Sequence, residues 1–170
     1  MKRDKPTVLR GFVLIALFLP LISVFAGRRN DPFTAEERKF FADFRDAAQS
    51  CQSGRLIKYL EKETIFQAGG AYFFDETERA KFLNGDGVFF HFLCDSESLK
   101  KDMDSYYWDE AGFLSLKDAL KIGTSLEEGR LRGKNKYFLQ FRVKKNKYFI
   151  DFENISGQFT IKMLEVVYLP

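Results

Sequence analysis

Histidine is all but missing from this sequence: the 170 residues hold one, His91. Any imidazole acid–base chemistry therefore rests on that single ring. Cysteine is nearly as scarce, with Cys51 and Cys94 the two present. One His and two Cys do not make an ordinary zinc site without carboxylates, so no metal site is expected. Also missing are a Gly-x-Ser-x-Gly elbow, a phosphate loop, a dinucleotide fingerprint and a His-Glu-x-x-His helix. No cofactor is expected, and the case for an enzyme is slight.

An excess of one charge is missing too, once the start of the chain is set aside. The first 26 residues hold four of the 27 bases and one of the 24 acids, leaving 23 of each in the remainder. That balance excludes a globally basic nucleic-acid binder. A hydrophobic share of 45% beside 30% charged residues excludes a disordered chain. Residues 27–170 suffice for a single domain that buries roughly two-thirds of its unfolded surface.

What is present begins with an export pattern. Lys2, Arg3, Lys5 and Arg10 precede an apolar run from Gly11 to Phe25, and Val24-Phe25-Ala26 ends it with small residues at the usual cleavage positions. Residues 1–26 read as a signal peptide. An uncleaved anchor is the alternative, since Val8–Ala26 approaches the roughly 20 residues that span a bilayer. Arg28 and Arg29 just beyond it favour retention. Either reading places the remainder outside the cytoplasm, periplasmic or extracellular if cleaved and membrane-tethered if not. In an oxidising compartment an even cysteine pair predicts a disulfide, Cys51–Cys94.

Thr34 and Glu37 have capping-box spacing, and Phe40, Phe44, Ala47, Ala48 and Cys51 recur on one helical face widened by Phe41. A second short helix is expected after Ser53-Gly54 with Leu56, Ile57 and Leu60 inward. Further helices are expected from Asp75 to Leu83, from Ser96 or Glu97, and over Ser115–Ile122. Three β-rich runs close the chain: Leu131–Val143, Lys147–Glu153 and Gln158–Leu169. Pairing Val143 with Tyr148, and Phe152 with Phe159, gathers Leu139, Phe141, Ile150 and Ile161 on one face. The opposite face, with Gln140, Asp151, Thr160 and Arg142, is mostly polar. A change of phase after Met163 predicts a bulge near Met163-Leu164. Helices first and a bent antiparallel sheet last, covered on one face, make an α+β domain.

The order of these elements resembles the cone-shaped nuclear transport factor 2-like (SnoaL-like) superfamily, in which a long first helix packs into a bent sheet. The stretch Phe41-Ala-Asp-Phe-Arg-Asp-Ala-Ala-Gln-Ser-Cys51, followed by Leu56 and Leu60, also looks like the opening of many small exported bacterial proteins. The resemblance implies a pocket between helix and sheet, used for catalysis in some members and for binding in others. The family's enzymes commonly place Asp and His there, but no such pair matches residue by residue.

Three features carry the remaining chemistry. If Val88–Cys94 is a strand, His91 shares a face with Phe89 and Leu93, and Asp86 and Asp95 are near enough in sequence to orient its ring; a core histidine is the plainer reading. From 130 to 148 no acid interrupts Arg130, Arg132, Lys134, Lys136, Arg142, Lys144, Lys145 and Lys147. On a strand the first four would line up about 7 Å apart on the polar face. They would suit anionic headgroups, acidic glycans or an acidic protein; otherwise they guard a sheet edge. Tyr106-Tyr107-Trp108, flanked by acids, cannot all face one core, so at least one ring is expected at a surface or cleft.

Together these point to an exported, non-catalytic domain that binds a small ligand or an anionic partner, with His91 pocket catalysis and an envelope structural role as competitors. Nucleic acid is not expected as a partner, and membrane contact is expected only if residues 8–26 stay attached. Protein recovered from its own host should show the mass of residues 27–170 less two hydrogens. A full-length, reduced mass would instead mean a retained anchor.

Overall fold

The computed structural model describes residues 33–103, 113–131 and 135–169. The segment 1–26, Tyr106-Tyr107-Trp108, Arg132 and Lys134 lie outside them. Helix α1 (Ala35–Ser50) starts at the expected capping box: the Thr34 hydroxyl accepts from the Glu37 backbone at 3.2 Å, and the Glu37 carboxylate accepts from the Thr34 backbone at 2.7 Å. Its buried face is Phe40, Phe41, Phe44, Ala47 and Ala48, and it ends where Cys51 turns left-handed at φ 51. Helix α2 (Ser53–Leu56) and a 3-10 turn (Ile57–Tyr59) follow.

Leu60, expected in a helix, instead opens strand β1 (Leu60–Gln67), which forms a hairpin with β2 (Ala71–Phe73) and runs parallel to the last strand of the chain. That long-range pairing overrides local propensity. Thr64 holds the irregular start of β1 in place: its hydroxyl donates to the Ile161 carbonyl at 2.7 Å and accepts from the Glu61 backbone at 2.9 Å. Helix α3 (Glu76–Leu83) is capped by Asp75 as expected.

Val88–Cys94 is helix α4, not a strand. Phe89, Phe92 and Leu93 are buried while Val88, Phe90 and His91 are only half-buried, a helical interval that so short a run, apolar but for His91, disguises. Helix α5 (Ser96–Asp102) and helix α6 (Leu116–Ile122) occupy the expected places, capped by Asp95 and Ser115.

The expected strand Leu131–Val143 is divided. Strand β3 (Thr124–Arg130) turns back into β4 (Lys136–Val143), followed by β5 (Asn146–Ile155) and β6 (Gln158–Tyr168). The sheet order is β2-β1-β6-β5-β4-β3, antiparallel except for β1 on β6. The helices lie N-terminal and most of the sheet C-terminal, the α+β arrangement expected. Val143 pairs with Asn146 and Ile155 with Gln158, so both hairpins have two-residue turns rather than the longer ones expected. Such turns match the right-handed strand twist. Phe141 consequently pairs with Tyr148 and Leu139 with Ile150, two residues from the expected register. The same side chains still face inward, because a shift of two preserves the face. The bulge falls at Lys162, between the pairs Phe152–Ile161 and Asp151–Met163, and the Lys162 amine reaches Glu61 at 2.9 Å and Glu153 at 3.6 Å.

The space between α1 and the sheet is filled by rings. Phe152 lies 5.0 Å from Phe40, 6.1 Å from Phe41 and 5.0 Å from Phe44. Buried Tyr148 stacks on Phe141 at 4.9 Å, donates its hydroxyl to the Leu114 carbonyl and accepts from the Leu114 backbone, both at 2.9 Å. The outer face is less polar than expected. Phe138 is 2% exposed, stacks on Phe149 at 5.9 Å and covers Gly129, where an added Cβ would lie 2.3 Å from its ring. Asp151 beside it is half-buried, and burial raises its carboxyl.

Cys51 and Cys94 form the expected disulfide, with Cα atoms 5.5 Å apart, tying the end of α1 to the end of α4. Its partners stand 43 residues apart, and closing such a loop removes entropy from the unfolded chain, which stabilises the folded state by about 4 kcal/mol in the chain-entropy account. Cys51→Ser/Cys94→Ser should therefore lose about 4 kcal/mol in urea unfolding, with the wild type matching it when reduced.

Candidate functional site

His91 sits one turn into α4, whose start is fixed by Gly87 at φ 87 and by Glu78 of α3. The Glu78 carboxylate accepts from the Phe89 backbone at 3.0 Å and fills the space a Cβ at Gly87 would need. His91 Nδ1 lies 2.5 Å from Asp102 Oδ2, and its Nε2 lies 3.3 Å from Asp86 Oδ1. Asp86 is an expected partner. Asp95, the other expected partner, instead caps α5, accepting from the Glu97 and Ser98 backbones and from the Ser98 hydroxyl. The Ser98 hydroxyl and backbone hold its carboxyl below the usual range. Asp102 escapes sequence reading because it arrives from the far end of the next helix. With a protein carboxylate at each ring nitrogen, His91 joins the α3–α4 turn, α4 and α5. It lines neither of the clefts described below.

The described cations of the basic span lie on different strands and in the turn between two of them. At its first end Arg130 is committed to α1: its Nε donates to Glu37 Oε1 at 2.9 Å, its second nitrogen bonds Glu37 Oε2, and the guanidinium lies 5.8 Å from the Phe33 ring centre. Burial works to raise the Glu37 carboxyl, but hydrogen bonds from Arg130, Thr34 and Tyr137 prevail and hold it at about 2. One strand residue pair away, Arg45 of α1 bonds Glu128 of β3. Lys136 is exposed at the start of β4.

The other cations gather at the opposite end of β4, roughly 20 Å along the strand. Arg142 of β4 pairs directly with Lys147 of β5, across a turn made of Lys144 and Lys145. Among the described residues no ion pair involves Arg142, Lys144 or Lys147. Lys144 holds φ 53, a left-handed position that Asn or Gly fills more easily. Lys145 donates to the Tyr168 hydroxyl at 3.3 Å and lies 5.6 Å from that ring's centre. Like charges directly opposed across a ladder are destabilising. Since β4 and β5 are interior strands, these cations do not guard an edge.

Among the described residues, clefts open at two places on the rim of the aromatic core. The larger, about 600 Å³, lies between the disulfide and α6, walled by Phe90, Leu114 and Lys117. Beside it the Ser96 hydroxyl donates to Asp118 at 2.7 Å and accepts from the Ser115 backbone at 2.9 Å, locking α5 to α6. The smaller, about 360 Å³, lies between α1 and the β5–β6 turn over Phe40, Tyr59 and Phe159. Among the described residues no three His, Cys, Asp or Glu side chains converge to hold a metal, and no helix is long and apolar enough to cross a membrane.

The Glu37–Arg130 pair has a pH signature. A carboxyl lowered on folding from 4.5 to about 2 contributes stability that is complete above the unfolded value and lost as pH falls through the folded one. Stability should decline from about pH 5 to about pH 2. Glu37→Gln should lose about 2 kcal/mol at neutral pH and flatten that decline, as read by urea unfolding across the range.

No family model matches the chain, and no curated protein is similar to it in sequence. Among solved structures it is similar to a de novo designed protein with a curved β-sheet, with TM-score 0.42 and 18% identity over 79% of this chain and 99% of that one. It is also similar to a protein of Xanthomonas campestris described as a calcium/calmodulin-dependent protein kinase II association domain, with TM-score 0.41 and 10% identity over 85% of this chain and 94% of that one. A third is a variant of Rd1NTF2_05, with TM-score 0.40 and 11% identity over 77% and 96%. The likeness is one of fold alone.

Proposed function

We propose that this is an exported, non-catalytic domain that binds an anionic partner through the cationic end of its sheet. One observation carries the reading: Arg142 and Lys147 are paired across interior strands, with Lys144 and Lys145 in the turn between them, and among the described residues neither member of the opposed pair makes an ion pair. A folded protein that keeps opposed like charges gives up stability for them, and an anionic partner supplies the missing counter-charge. Arg130, at the start of the basic span, is instead paired with Glu37 of α1. The disulfide is compatible with export.

Filling of the helix–sheet interior by Phe40, Phe44, Phe152 and Tyr148 favours a surface over a deep pocket. Engagement of both His91 nitrogens by carboxylates favours binding over acid–base turnover.

The reading predicts opposite effects on stability and binding. Lys147→Gln should raise stability by about 0.5 kcal/mol by relieving the repulsion. The same change should lower the salt needed for elution from a heparin column, and Arg142→Gln/Lys147→Gln should lower it further. Retention that neither substitution alters would sink the proposal.

A further inference from the structure

We infer that the anionic partner is a phospholipid surface, and that the cationic end of the sheet docks on it together with an apolar fringe. This rests on the reading of that end as an anion-binding surface. One ladder row, Thr124–Arg142–Lys147–Val167, crosses four strands there, a width of roughly 15 Å. Around it the described residues leave large apolar side chains in solvent: Ile122 is 57% exposed, Leu126 48%, Val167 39% and Tyr168 39%. Of the other three exposed groups of this kind, Phe73 and Leu83 lie on β2 and α3, and Ile155 lies at the opposite end of β5. The clustering is therefore a property of the cationic end, not of the surface as a whole.

The fold brings these groups together from distant parts of the chain. Gly123 lets the chain pass from α6 into β3 over the Phe141 ring, where an added Cβ would lie 2.6 Å from that ring, and so sets Ile122 beside the start of β3. Leu126 follows in the irregular part of β3, where the register with β4 shifts. Val167 shares the row of Arg142 and Lys147, and Tyr168 pairs with Asn146 under the Lys145 amine.

A dissolved polyanion is held by the cations alone and gains nothing from aliphatic side chains. A membrane interface takes both kinds: Lys and Arg at the level of the headgroups, Tyr at the boundary, aliphatic groups just beneath. The surface potential of an anionic leaflet also offsets the repulsion between Arg142 and Lys147, because it acts on both at once.

The test compares partitioning of the full chain onto vesicles of phosphatidylcholine with and without one-third phosphatidylglycerol. A ratio between the two cancels any charge-independent contribution from residues 8–26. Wild type should favour the anionic vesicles by about tenfold or more at low salt, and Arg142→Gln/Lys147→Gln, in a chain that keeps Lys2, Arg3, Lys5 and Arg10, should lower that preference by about fivefold or more. Ile122→Ser/Val167→Ser should keep its retention on heparin yet lose about fivefold or more in partitioning onto the anionic vesicles. An unchanged partition for that fringe variant, or a wild type that holds to heparin but takes both vesicles equally, would overturn the lipid assignment and leave anion binding standing. A wild type that prefers neither heparin nor anionic vesicles would overturn both.

Discussion

The domain is organised around one ring. Phe152, in the middle of β5, is met by Phe40, Phe41 and Phe44 of α1, the three interplanar angles being 83°, 90° and 79°. Edge-to-face pairs of this kind add about 0.5–1.5 kcal/mol each beyond the area they bury. They also fix the angle at which α1 crosses the sheet, because a ring can present its edge to three others only from a limited set of directions. That crossing angle places Glu37 against Arg130 and Arg45 against Glu128. The edge strand β3 is thereby held by two ion pairs from a helix far from it in sequence, and the cationic end of the sheet is left clear of α1.

How much of this was legible in the residues depends on the range of the interaction. Capping boxes and helical faces are written within a turn or two, so α1, α3, α5 and α6 could be placed from Thr34, Asp75, Ser96 and Ser115. Strand register is written more loosely. Alternation settles which side chains face inward, and then leaves every shift of two residues equivalent until the turn length decides. Here Lys144-Lys145 and Ser156-Gly157 make shorter turns than their composition advertises, with Lys144 and Ser156 in left-handed conformations uncommon for those residues. Strand β1 was illegible because its partner Ile161 lies a hundred positions on. Helix α4 was ambiguous because seven residues, six of them apolar, do not span enough turns to show their period.

The charges show the same division. Among the described residues, Arg130, Lys136, Arg142, Lys144, Lys145 and Lys147 form one group only along the chain. In space β4 separates its two ends, and the partner that neutralises Arg130 stands 93 residues earlier. Nothing near Arg130 announces Glu37. Likewise His91 takes Asp102 from the end of α5 where proximity in sequence offered Asp95. In both cases the residue was visible and its partner was not.

The parallel pairing of β1 with β6 has a consequence for how the chain reaches this state. The β4–β5 and β5–β6 hairpins are local and can close early, but β1 cannot take its place until Leu60 finds Ile161. Loop closure over that distance is slow, and the phenylalanines of α1 have no Phe152 to meet until most of the chain has been made. A nascent N-terminal half is thus left open, with its rings uncovered and its helices unsupported. The fold completes in a late step that requires the whole length at once.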